Sequence, residues 1–169
     1  MSIPRQQFRD AMAQLGAAVN IVTSAGTAGV TGMTASAVCS VSDDPPMLAV
    51  CVNRSSRSNP LFKENGVICV NTLASSHAEI ASVFAGSTGC TIEKRFECGA
   101  WERLATGSPI LQDALASFDG RITDLVEKGT HTVFFVEVEA VRQSTGNGLV
   151  HFRRNFCPIG KAANESPGS

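Results

Sequence analysis

What most restricts the fold of this chain is the way its apolar runs are joined. Strand-like runs recur at 19–23, 31–41, 47–52, 67–73, 115–126, 131–142 and 149–156. Most neighbours are separated by turn residues. Gly26, Gly29 and Gly32 punctuate one link, Asp43-Asp44-Pro45-Pro46 breaks the next, and Gly146-Asn147-Gly148 makes the last. Parallel strands need crossovers of a dozen or so residues, whereas antiparallel strands can be joined by tight turns. The spacing therefore predicts about seven strands in a mainly β, antiparallel barrel or sandwich, with short helices on its flank.

The helical signals are few. Ser2-Ile3-Pro4 reads as a helix start with Ser2 as N-cap; Phe8, Met12 and Leu15 give one apolar face, and Gly16 stops it. A second short helix begins at Asn59-Pro60-Leu61-Phe62 and ends near Gly66. Ser76-His77-Ala78-Glu79 has capping-box spacing and opens a third, with Ile80, Val83 and Phe84 on its apolar face. Residues 86–107 carry Arg95, Phe96 and Trp101 but no clear period, and read as irregular. The length of 169 residues suits one domain, placed over 1–160, with a small polar tail over 161–169 read as disordered.

Composition excludes several functions. A net charge of −1 without a basic stripe argues against nucleic-acid binding. No run approaches the roughly 18 apolar residues of a membrane span, and no signal segment is visible, so the expected location is cytoplasmic. Six cysteines form no C-x-x-C pair and have no histidine at finger spacing, so no metal site is expected. G-x-G-x-x-G after a strand, a Walker lysine, H-E-x-x-H and G-x-S-x-G are all missing. Nothing in the sequence brings a cysteine nucleophile to His131.

Two adjacent stretches draw attention. Thr34, Ser36, Cys39 and Ser40 make a strand of small side chains, against which a flat ligand can approach the main chain. Taken alone, that strand is better accounted for by tight packing against a helix or a second subunit. Then comes Asn53-Arg54-Ser55-Ser56-Arg57-Ser58-Asn59, where hydroxyls, loop amides, a helix start and two guanidiniums make an anion cradle. A solvated polar loop is the plainer reading of that segment. Together the two suggest a nucleotide-type cofactor lying across both. His131, after Gly129-Thr130, and Phe152-Arg153-Arg154-Asn155-Phe156 are further candidates for ligand contact at a barrel mouth.

An ordered set of segments carries a resemblance. It comprises Phe8 to Met12, Ala18 to Thr23, Gly32 to Val41, Asn53 to Ser56, Cys69-Val70-Asn71, Phe84-Ala85-Gly86, Arg95-Phe96 and Gly129-Thr130-His131. In this order they resemble the small flavin reductases of two-component monooxygenases, including those that serve 4-hydroxyphenylacetate, chlorophenol and pyrimidine oxygenases. The resemblance implies an FMN-binding split β-barrel that forms a homodimer. It also implies NADH-dependent reduction of FAD or FMN, released to a separate oxygenase component. Met33, Thr34, Ala35, Ser36 and Ala37 would line the isoalloxazine. Asn53, Arg54, Ser55, Ser56, Arg57 and Ser58 would hold the ribityl and phosphate part. Cys51, Asn71, Ala85 and Gly86 would complete the flavin site. His131 would face the nicotinamide as the catalytic candidate, and Arg153, Arg154, Asn155 and Phe156 would close over NADH. Family members commonly follow that last aromatic with histidine; here Cys157 stands there. Hydride transfer between two cofactors requires no protein nucleophile, which accords with the missing triad motifs.

Overall fold

The computed structural model describes residues 3–160. The N-cap expected at Ser2 and the tail expected over 161–169 lie outside them. The architecture is the mainly antiparallel one expected. In chain order the strands are β1 (Ala17–Ala18), β2 (Asn20–Gly26), β3 (Gly29–Ala35), β4 (Val38–Asp43), β5 (Pro46–Asn53), β6 (Val67–Thr72), β7 (Trp101–Arg103), β8 (Pro109–Leu111), β9 (Ala116–Lys128), β10 (His131–Gln143), β11 (Gly148–Phe152) and β12 (Asn155–Ile159). The helices are α1 (Arg5–Met12), α2 (Ser58–Asn65), α3 (Ala78–Phe84) and α4 (Ile92–Arg95), with a 3-10 turn at Ser75–His77 before α3.

Seven strands form one sheet in the order β3-β2-β6-β9-β10-β5-β4. Its two outermost strands, β3 and β4, are joined by only Ser36 and Ala37, so the sheet must curl until its edges approach each other. The Cys51 amide donates to the Ala37 carbonyl at 2.9 Å and ties that junction to β5. β9 and β10 are thirteen residues each, and register shifts at Phe135/Val136 and Val138/Ala140 let this long ribbon bend around the barrel. Gly120 allows the close approach there: a Cβ would lie 2.2 Å from the Glu137 carbonyl oxygen.

The core has two parts, and β2 serves both. Val22 packs into the barrel with Val50, Val52, Ile68, Val70, Phe134 and Val136, while Ile21 faces outward to Leu73, Ile80, Ala81, Phe84 and Leu149. Burial on both faces explains why the central strands read as continuous apolar runs instead of alternating ones. α2 plugs one end of the barrel with Phe62, which meets Phe134 edge-to-face at 6.1 Å. It stops at Gly66, whose φ of 68° is the left-handed conformation glycine tolerates.

Four expectations need correction. The run at 31–41 is not one strand; it breaks at Ser36-Ala37 into β3 and β4, on opposite edges of the sheet. The run at 149–156 is a hairpin, β11–β12, turning at Arg153-Arg154. The stretch read as irregular contains α4 and β7, held by the Phe84, Phe96 and Trp101 rings with centroids 4.9–5.3 Å apart. The capping-box spacing before α3 is not used by Glu79; His77 Nδ1 accepts instead from the Ala74 amide at 3.1 Å.

Candidate active site

β3 is an edge strand, so alternate main-chain groups along it face away from β2. Beside it runs a groove whose three cavities share residues. The first, about 190 Å³, is lined by Met33, Thr34, Ser56, Arg57, Ser58, Phe84, Ala85, Ile92 and Arg95. The second, about 250 Å³, shares Thr34 and Ala85 and adds Ala35, Ser36, His151 and Phe156. The third, about 810 Å³, shares Ser36 and His151 and continues past Ala37 to Arg9, Met12 and Arg154. The small side chains of Thr34 to Ala37 thus floor a continuous path, and their size is what leaves it open.

The first cavity is basic. Arg57 and Arg95 line it, and no carboxylate does. It sits at the amino end of α2, where main-chain N–H groups favour an anion. Its walls are fixed from behind. Thr31 Oγ1 donates to the buried Ser58 Oγ at 2.8 Å, and the Ser58 amide donates to Ser56 Oγ at 3.3 Å. Asn59 Nδ2 donates to the Val52 carbonyl and to Thr132 Oγ1, anchoring the loop to the barrel interior. Thr34 Oγ1 donates to the Ala81 carbonyl at 2.6 Å, which sets β3 against α3. Gly32 lets the aromatic layer approach the strand, since a Cβ there would lie 2.7 Å from Phe84 Cε1.

Of the residues singled out in the sequence, Met33, Thr34, Ala35, Ser36, Ala37, Ser56, Arg57, Ser58, Ala85, Arg154 and Phe156 line this groove. Gly86 adjoins it, with φ 90° and a position where a Cβ would lie 3.4 Å from Arg95 Nη2. Others are placed differently. Asn53 shapes the loop, its Oδ1 accepting from the Ser55 amide and hydroxyl at 2.9 Å each. Arg54 turns away to Glu127 at 3.3 Å, a carboxylate held below its ordinary pKa chiefly by the Lys63 hydrogen bond. His131 and Cys51 lie on β10 and β5, and His131 pairs in register with Asn53. Their face adjoins the groove at Ala37, yet neither residue lines a cavity described above. Burial, and then Cys39, pushes the Cys51 thiol up.

Asn71 is the clear departure. It is fully buried; its Nδ2 donates to the Ile21 carbonyl, and its Oδ1 accepts from the Leu111 amide and Ser117 Oγ, both at 2.9 Å. It joins β6 to β8 and β9 and has no surface left for a ligand. Arg153 and Asn155 serve the hairpin turn: the Arg153 amide donates to the Ala13 carbonyl, its Nε to Gln14, and Asn155 Nδ2 back to the Arg153 carbonyl.

Among the lining residues given no site role from sequence, two stand out. His151 faces the second and third cavities and meets Phe156 edge-to-face at 5.9 Å. Arg95 lies in a stretch without periodicity, so only its adjacency to Phe96 pointed to it. Among the described residues no metal-binding cluster of His, Cys, Asp or Glu occurs, and no helix is long and apolar enough to cross a membrane.

Comparison with known proteins agrees with this geometry. The chain is 49% identical to an FMN reductase (NADH) RutF of Pantoea ananatis over 94% of its own length and 83% of the relative's. It is 50% identical to a 4-hydroxyphenylacetate 3-monooxygenase reductase component of Pseudomonas aeruginosa, covering 92% of this chain and 95% of the other. Its fold superimposes on the Streptomyces globisporus NADH:FAD oxidoreductase SgcE6, solved with NAD and FAD fragments, with TM-score 0.84 at 25% identity, covering 96% and 95% of the two chains. The family model described as flavin reductase like domain matches residues 12–160, which contain the curled sheet and every groove-lining residue except Gln6, Phe8 and Arg9 of α1. On that match and on this fold, the chain belongs to the flavin reductase like domain family.

Proposed function

We propose that the chain is an NADH-dependent flavin reductase that reduces FAD or FMN and supplies the reduced flavin to a separate oxygenase component. The observation that carries this reading is the groove along β3: a flat floor of small residues leading to a basic, acid-free cavity. The residues present fit a flavin, because Arg57 and Arg95 line a phosphate-sized space that no carboxylate borders. When bound, the flavin supplies the hydride acceptor and NADH the donor.

The chain's own part is to bind, orient and exclude water. Thr34 to Ser36 hold a ring close to the open main-chain edge of β3, whose N–H groups favour negative charge that develops beside them. Phe156 and His151 wall the ring side, and Arg154 and Arg9 give the far cavity its positive charge for a dinucleotide. The tertiary setting gives no nucleophile–base pair a task.

His131, on the open shelf next to Asn53, is proposed to contact the nicotinamide where the groove meets that shelf. His131→Ala is expected to raise the KM for NADH several-fold more than that for flavin. An equal rise in both would refute that assignment. The oxygenase served is proposed to act on an aromatic ring, in keeping with the Pseudomonas relative's name. Flavin-dependent NADH consumption, followed by product formation when a purified aromatic-ring oxygenase is added, tests the reading. NADH consumption that does not depend on flavin would overturn it.

A further inference from the structure

We infer that His151, in its protonated form, holds the negative charge that a flavin gains on reduction. The inference rests on the flavin reductase reading and gives a task to one side chain at the ring end of that groove. Among the described residues, only Ser36 and His151 line both the second cavity, which suits the ring, and the third, which suits the dinucleotide. The two ligands would meet beside these side chains. β11 is the middle strand of a three-stranded sheet, and His151 pairs with Ala17 on β1 and Phe156 on β12. Its backbone is therefore fixed from both sides. The Phe156 ring meets the imidazole edge-to-face at 5.9 Å, while Ala17, itself a lining residue of the third cavity, is too small to cover it.

A ring nitrogen of each of the other two histidines is engaged: His77 Nδ1 accepts from the Ala74 amide, and His131 Nδ1 bonds to Thr130 Oγ1 at 2.9 Å. The ring nitrogens of His151 have no partner among the described residues, so both are open to a ligand. Nothing else in the second cavity can carry charge. Val19, Ala35, Ala85 and Phe156 are apolar, and Thr34 Oγ1 already donates to the Ala81 carbonyl. The charged groups that face His151 from neighbouring elements are Arg9 of α1 and Arg154 of the β11–β12 turn, and Arg154 is paired with Asp10. β1, β3 and β12 turn no titratable side chain into these two cavities. In the hydride step a C–H bond of the nicotinamide breaks, an N–H bond on the flavin forms, and the ring is left with both electrons and one negative charge. Histidine is the side chain whose charge changes in the neutral range, and a neighbouring anion favours its cationic form. His151 takes its proton from solvent, donates a hydrogen bond to the reduced ring and keeps the proton. Oxidised flavin, whose ring is neutral, gains little from the same contact.

Binding of oxidised and of chemically reduced FMN, measured by titration calorimetry without oxygen, tests the inference on the unaltered chain, His151→Gln and His151→Lys. At about pH 7, His151→Gln is expected to weaken reduced FMN by about 5- to 20-fold, the loss of one charge-assisted hydrogen bond, and oxidised FMN by less than about twofold. Between about pH 7 and about pH 9 the unaltered chain should lose most of its preference for reduced FMN as the imidazole gives up its proton. His151→Gln should show no such change. His151→Lys keeps a cation over this range and should hold the preference at both pH values. Equal weakening of both forms in the two variants, unchanged binding of reduced FMN in His151→Gln, or a pH-independent preference in the unaltered chain would overturn the inference while leaving the reductase reading intact. Failure of the unaltered chain to bind FMN in either form would overturn both.

Discussion

At the residue scale, the structure separates side chains that touch a ligand from those that only hold the scaffold. Asn71, a candidate site residue in the sequence, and His77, part of a helix start, are both spent on the backbone. His77 has a consequence for pH. Burial holds its imidazole below the ordinary 6.5, against an opposing pull from Asp113, and its neutral Nδ1 accepts the Ala74 amide. Stability from this group is full above about pH 6.5 and is lost as pH falls toward the lowered folded value, because the unfolded chain then takes up the proton first. The thermal midpoint should therefore fall between neutral and mildly acid pH, and His77→Gln should flatten that fall. An unchanged slope in the variant would contradict the assignment. The carboxylates of Asp10 and Glu127 are also lowered, from 3.8 and 4.5, so they act in a more acid range.

The residue scale also marks what a sequence can carry. Thr34, Ser36 and Ser56 to Ser58 were legible because their types are unusual for their place, small polar residues in a strand and arginines among hydroxyls, whereas Met33, Ala35 and Ala37 came only with the family resemblance. Arg95 and His151 were not. Arg95 belongs to a four-residue helix without a period, and its meaning comes from Gly32 and Phe84, distant in sequence. His151 sits in a strand of mixed character, and only its pairing with Ala17 opposite β1 turns it toward α1 and the groove.

At the element scale, the β11–β12 turn is the most informative piece. Arg153 and Arg154 hold φ of 49° and 65°, the pair of left-handed conformations that a two-residue hairpin turn favours and that Asn-Gly adopts most easily. A side chain there costs of order 1–2 kcal/mol per residue, so these arginines are retained at some expense to stability. Arg154 pairs with Asp10 of α1, an exposed contact that offsets little of it. Replacing the turn by Arg153→Asn with Arg154→Gly is expected to leave stability unchanged or raise it by up to about 1 kcal/mol, measured by denaturant midpoint. The KM for NADH should rise several-fold. A clear loss of stability with an unchanged KM would show that the arginines serve the fold alone.

Elements were legible where one period dominated. The β4–β5 hairpin at Asp43 to Pro46 and the link from β10 to β11 at Gly146 to Gly148 were marked by their turn residues. The breaks at Ser36-Ala37 and Arg153-Arg154 were invisible because neither carries a turn signature. In the first, sheet closure forces the strand to change edges; in the second, arginine stands where glycine is usual. Helix α1 shows the converse: its apolar stripe was read correctly, but the stripe lies exposed.

At the scale of the whole molecule, that stripe is the chief unfinished surface. Phe8 is 53% exposed, Met12 46% and Leu15 61%, on and just past a helix that buries no residue. Apolar side chains aligned on one helix face and left in water are commonly covered by a partner. A homodimer is the proposed cover, since Phe8 and Met12 also border the groove and a second copy seated there would narrow its far cavity. Light scattering should return the mass of two chains, and Phe8→Asp with Leu15→Asp should shift it toward one. A monomer in the unaltered protein would rule the dimer out.

The curled sheet, the small-residue floor and the basic cavity together describe an enzyme whose chemistry comes from two bound cofactors and whose own work is alignment. That claim is tested most directly by mixing the protein with NADH and excess FMN without oxygen, following the nicotinamide and flavin absorbance bands together. The account predicts that both fall at one rate and in equal amount, with no change in either when the protein is omitted. Loss of the nicotinamide band without matching loss of the flavin band, or no change in either with the protein present, would contradict it.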